Sequence, residues 1–241
     1  MNQYYEQTEE FARSLSQLVK GLTILFWGIP LTLVICVRTS VKDKFELQPV
    51  DFWIPIVATG SLLLALSYIS KFRKNERVWI EAIDRARFFA IINFFLSPFI
   101  YWRLKITDVQ VFSVAAGMFF LSGIFFLLMI NRVIKQLALM LPEYSLREDA
   151  RIYADLNQYI LVILSAILIL NYIGAQWGDK IKMLPSQIWL AARISQWVIS
   201  FIIVAPVAMT MTLIWKARDV ILKDVFINAC RPRQKEEHGD N

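Results

Sequence analysis

The residues of this 241-residue chain best placed to do chemistry are a tryptophan–arginine–tryptophan set toward its C-terminal end. Arg193 follows Trp189 by four residues and precedes Trp197 by four. Residues four apart share a face of a helix, so the guanidinium would sit between two indoles. Cation–π contacts of that kind contribute about 0.5–2 kcal/mol, depending on desolvation. Such a face could bind an anion or a lipid phosphate. The plainer reading is an arginine reaching toward headgroups beside interfacial tryptophans. Asn93 is the next candidate, with Asn171 beside it as a second amide inside an apolar run. An amide in hydrocarbon seeks a partner on another helix, a bond of about 0.6–2 kcal/mol. Asn93 therefore reads as an interhelix hydrogen bond or, alternatively, as a solute-pathway residue.

A third group is acidic. Glu143, Glu148, Asp149 and Asp155 alternate with Arg147 and Arg151. Paired acids at a membrane surface could hold Mg²⁺ and a lipid pyrophosphate, but the fixed spacing of a D-D-x-x-D pattern is missing. Acids three and four residues from arginines are the pattern of a salt-bridged, solvated helix face.

Other chemistry lacks its residues. The one histidine, His238, lies near the C-terminus, and Cys36 and Cys230 show neither disulfide nor metal-ligand spacing. Phosphate-binding loops, dinucleotide fingerprints and nucleophile elbows are absent. No Asp, Glu, Lys or His falls inside an expected membrane span, whereas proton-coupled transporters and intramembrane proteases ordinarily use ionisable groups at depth. A microbial rhodopsin would need a buried lysine. A mitochondrial carrier would show Pro-x-acid-x-x-basic, yet Pro30 leads into Leu31-Thr32-Leu33-Val34 and Pro98 into Phe99-Ile100-Tyr101-Trp102. Catalytic residues, metal ligands and cofactors are accordingly assigned to none of these positions.

The elements that must position these residues follow from composition. The chain is 57% hydrophobic and 19% charged, with a mean hydropathy of +0.48. Disorder is excluded, and so is an ordinary soluble domain. Stretches free of Asp, Glu, Lys and Arg cover 21–37, 52–70, 88–102, 109–131, 156–178 and 194–215. A hydrocarbon core of about 30 Å needs about 20 helical residues. The short run 88–102 is flanked by Arg85, Arg87, Arg103 and Lys105, whose side chains could extend it. The expected fold is an all-α polytopic membrane protein in one transmembrane domain. Its six spans are placed at about 20–37, 52–70, 87–103, 109–131, 157–177 and 188–215.

Charge distribution sets the expected orientation. With six spans and the N-terminus inside, the inner segments 1–19, 71–86, 132–156 and 216–241, with the residues at their borders, hold 18 Lys and Arg against eight outside. If 88–102 did not cross, the two sides would hold 13 each. Basic residues concentrate on the cytoplasmic side of membranes, so both termini are expected there, in a bacterial plasma (inner) membrane. Trp53, Trp102, Trp177 and Trp189 then fall at outer ends. The net charge of +6 reads as attraction to anionic inner-leaflet lipid and not to nucleic acid.

The spans group into three helical hairpins, each opened by a charged segment ending in Ala-Arg: Ala12-Arg13, Ala86-Arg87 and Ala150-Arg151. Several helices are expected to continue past the membrane as amphipathic extensions. Ile130, Ile134, Leu137 and Leu141 form one stripe; Ile214, Ala217, Ile221 and Val225 form another; Phe11, Leu15, Leu18 and Leu22 a third. Ile134, Leu137, Leu141, Ile221 and Val225 are the partner-docking candidates, for another protein or for a second copy. Small residues four apart, as in Ser61/Ala65 and Ser113/Gly117, would allow close helix packing. The leading functional expectation is a non-enzymatic membrane component: a scaffold, an assembly factor or a subunit of a larger complex. A channel or permease for a neutral or anionic solute is the alternative, and a lipid-modifying enzyme at the inner face a weaker one.

Overall fold

The computed structural model describes residues 2–40, 50–72, 76–106, 109–141, 144–177 and 204–223, with side chains over 13–35, 52–72, 76–106, 109–141, 147–169 and 204–223. Every regular element among them is helical. The helices are α1 (Asn2–Ser40), α2 (Val50–Ile69), α3 (Arg77–Lys105), α4 (Gln110–Met140) and α5 (Tyr144–Trp177), followed by α6 over 204–223. Four are long and apolar enough to cross a membrane: α1 over Arg13–Ile35, α2 over Phe52–Ile69, α4 over Gln110–Met140 and α5 over Arg147–Ile169. The described residues are thus all-helical, with several apolar helices compatible with a multi-pass membrane protein.

The helices persist where local sequence would test them. Pro30, Pro55 and Pro98 each lie inside a continuous helix. The run 88–102 belongs to an unbroken 29-residue helix, which at 1.5 Å per residue is about 43 Å long. The other long helices have 39, 31 and 34 residues. Each exceeds the length that a hydrocarbon core requires, so helix extensions beyond the apolar runs are real features of the chain.

Sequence neighbours pack on one another, most extensively α3 on α4 and α1 on α2, then α2 on α3 and α4 on α5. The α1–α2 contact depends on two glycines. A Cβ on Gly21 would stand 2.9 Å from the Ala65 carbonyl oxygen, and one on Gly28 would stand 2.8 Å from Leu62 Cδ2 and 3.1 Å from Ser61 Oγ. The Ser61/Ala65 pair therefore meets a glycine pair on α1, two turns apart. Ser113/Gly117 has no such role, because nothing lies within 4 Å of a Cβ built on Gly117.

One main core runs through the bundle and into the extensions. It joins Leu15, Leu18 and Leu22 of α1 to Phe72, Trp79 and Ile83, then to Ile130, Ile134, Leu137, Leu141, Ala150, Ile214, Ala217 and Ile221. The Leu15–Leu22 part of α1, the end of α2, the start of α3, the end of α4, the start of α5 and the end of α6 are thereby gathered together. Trp79 closes the α2–α3 turn there: it is fully buried, and its Nε1 donates to the Phe72 carbonyl at 2.9 Å. Arg147 does similar work after α4, donating to the Leu139 and Leu141 carbonyls at 3.4 and 3.3 Å. Carbonyls at a helix C-terminus lack intrahelical donors, and this arginine supplies them.

This core takes in four of the residues expected to dock a partner. Ile134, Leu137 and Ile221 are each 1% exposed and Leu141 8%. These residues of α4 and α6 lie in the same core cluster as Leu15, Leu18 and Leu22 of α1, not on an open surface. The physical reason is that apolar side chains gathered in one cluster leave water by packing within the chain.

Candidate functional site

Among the described residues, one cluster of buried polar side chains lies where α4, α5 and α6 meet. Asn131 is anchored on α4 by its Nδ2, which donates to the Leu127 carbonyl at 3.0 Å, leaving Oδ1 to accept from Thr210 Oγ1 at 3.1 Å. Asn157 on α5 donates through Nδ2 to Thr210 Oγ1 at 2.9 Å and to the Pro206 carbonyl at 3.1 Å. Thr210 Oγ1 also lies 2.8 Å from the Pro206 carbonyl. All three side chains are buried. A hydroxyl has one proton, so Thr210 divides it between two acceptors. Asn157 Oδ1 is buried without a partner among the described residues, at a cost of about 1–3 kcal/mol for an unsatisfied group. The cluster is thus rich in acceptors and poor in donors.

The same three helices are tied by two ion pairs at the end where the extensions gather. Lys135 of α4, one turn beyond Asn131, meets Asp155 of α5 at 2.6 Å, and Lys216 of α6 meets Asp149 of α5 at 2.6 Å. The Asp149 carboxylate accepts a hydrogen bond from Lys216 and holds its pKa above the usual lysine value, partly opposed by desolvation. Lys216 Nζ also lies 5.8 Å from the centre of the Tyr153 ring.

These pairings decide how the acids of 143–155 are read. Asp149 and Asp155 each hold a lysine of another helix; they do not converge on a common point. Among the described residues, no three His, Cys, Asp or Glu side chains come together as a metal site. The acids act as ties between helices, more specific than the local helix-face pairs that spacing alone implies.

Asn93 is buried and accepts a hydrogen bond from Ser122 Oγ at 2.6 Å, joining α3 to α4. That is the interhelix role its sequence context allows. Trp189, Arg193, Trp197 and Val225 lie outside the described residues, and so does the side chain of Asn171. Asn131, Asn157 and Thr210 were not anticipated. Asn131 ends one uncharged run and Asn157 lies at the start of the next, so they read as boundary residues. Two amides at matching depth on consecutive helices were the available signal. Comparison with known proteins adds no further assignment: no family model, curated protein or solved structure matches the chain.

Proposed function

We propose that the chain is a non-enzymatic integral membrane component, a scaffold, assembly factor or membrane subunit of a larger complex. The proposed layout has six spans in three hairpins, with both termini on the cytoplasmic face of a bacterial plasma membrane. One observation carries this reading: Asn93, Asn131, Asn157 and Thr210, with Asp149 and Asp155 of α5, are taken up in ties between helices, so the bundle is built to hold its own shape. The surface left for a partner is the exposed one, not the buried Ile134, Leu137, Leu141 and Ile221. On α3 this surface includes an open groove lined by Arg77, Ile80, Glu81, Asp84, Arg85 and Phe88.

Purification from native membranes in mild detergent tests the proposal. Other chains, or a second copy, should be retained at defined stoichiometry. Recovery of a lone monomer with no companion would remove the reading. Truncation tests should begin after residue 223, because Ala217 and Ile221 are core residues.

The alternative, a channel or permease, draws on the Asn131–Thr210–Asn157 cluster. A buried acceptor without a donor suits a passing hydrogen-bond donor and not an anion. Solute flux in proteoliposomes that collapses in Thr210→Val would favour it over the scaffold.

A further inference from the structure

An arginine beside a tryptophan, the pairing that the sequence displays around Arg193, occurs again within α6. Arg218 stacks on Trp215 three residues earlier, with the guanidinium carbon 4.3 Å from the ring centre. Its Nε is buried and has no hydrogen-bond partner among the described residues. No carboxylate among the described residues pairs with it; the adjacent Asp219 is held by Lys223 at 2.7 Å. Stacking therefore holds the guanidinium against the indole face while leaving Nε without a partner among the described residues.

An apolar aromatic flank lies directly beside it. Trp215 contacts Phe26 of α1, with ring centres 5.7 Å apart, and Phe26 meets Trp27 edge-on at 5.3 Å. Trp27 is 67% exposed and Trp215 50%. Lys20 is also exposed and stands seven residues before Trp27, two turns away on the same side of α1. The flank thus grades from exposed indoles to an arginine half-buried against Trp215 within one turn of α6, at the edge of its apolar run. An amphiphile with a long apolar part and an anionic head matches that gradient. A guanidinium offers paired N–H donors to phosphate oxygens.

We propose that the α1–α6 flank is a binding site for one anionic phospholipid, with Arg218 on the phosphate and Trp27, Phe26 and Trp215 along the acyl chains. The site rests on the membrane reading above but not on the number of spans or on any protein partner.

The test is native mass spectrometry of the full chain in detergent, titrated with phosphatidylglycerol and, separately, with phosphatidylcholine. The wild-type chain should retain phosphatidylglycerol preferentially. Arg218→Gln should lower its occupancy roughly fivefold or more, the effect of one basic contact at a lipid surface, while phosphatidylcholine binding stays unchanged. Arg218→Lys should keep a clear preference, and Trp215→Leu should weaken it with the charge intact. Excess inorganic phosphate should not displace the lipid. Equal retention of the two lipids, an Arg218→Gln chain of normal helix content that binds phosphatidylglycerol as well as wild type, or displacement by inorganic phosphate would each overturn the site. None of these results would bear on whether companion chains co-purify.

Discussion

At the scale of single residues, the polar groups that matter are those shared between helices. Thr210 contacts Asn131, Asn157 and the Pro206 carbonyl at once. Thr210→Val keeps the shape and removes the hydroxyl, so two amides lose a partner. Interhelix hydrogen bonds in membranes contribute about 0.6–2 kcal/mol, and a loss of that size should appear as a lower midpoint in reversible unfolding in mixed detergents. Trp79 predicts a larger effect. It is fully buried and bonded to the Phe72 carbonyl, so Trp79→Ala should cost about 3–5 kcal/mol. Trp79→Phe retains most of the packing and gives up the hydrogen bond, so its loss should be clearly smaller in the same assay. Neither residue stands out in the sequence. A tryptophan beside Arg77 and Glu81 reads as interfacial, and only the packing of Phe72 and Ile83 around it makes it core.

At the scale of elements, close approach and charge make separate predictions. A methyl group on Gly21 would collide with the Ala65 carbonyl, which is backbone, whereas on Gly28 it would meet the end of the Leu62 side chain and the Ser61 hydroxyl. Gly21→Ala should therefore destabilise the α1–α2 pair by about 1–3 kcal/mol, as overpacking does. Gly28→Ala should cost less, because Leu62 can change rotamer. Thermal melts of the two variants side by side give the order. The Lys216–Asp149 pair ties α6 to α5 with both side chains more than a third exposed. Its contribution is accordingly small, at most about 1 kcal/mol. Because the folded-state pKa of Lys216 is raised, that contribution is complete below the ordinary lysine value, about 10.4, and disappears as pH climbs through the folded value. Wild-type stability should fall toward that of Asp149→Asn above that range and exceed it at neutral pH. The pair itself could not be read from spacing, since 67 residues separate its partners.

At the scale of the whole molecule, the layout makes its own prediction. If the spans number six, Cys230 and a cysteine placed within the first twenty residues should react with the same membrane-impermeant reagent from the same side. Labelling from opposite sides would require an odd number of crossings. Removal of residues 224–241 should leave the bundle folded, whereas removal of 217–241 should abolish a cooperative melt, because Ala217 and Ile221 belong to the core.

The amino-acid sequence by itself determined that this chain is helical, that its apolar runs suit a membrane, and that its helices outlast those runs. Each of these is local: a segment in hydrocarbon must satisfy its own backbone hydrogen bonds, and an amphipathic stripe repeats every turn. What only the tertiary structure decided is which surface each stripe meets. Ile134, Leu137, Leu141 and Ile221 have the same composition whether they face a partner or their own chain, and here they face their own chain. Asn131, Asn157 and Thr210 likewise become a cluster only when α4, α5 and α6 stand at matching depth. Apolar burial carries no address, so the choice between self and partner follows from which helices the connections bring within reach.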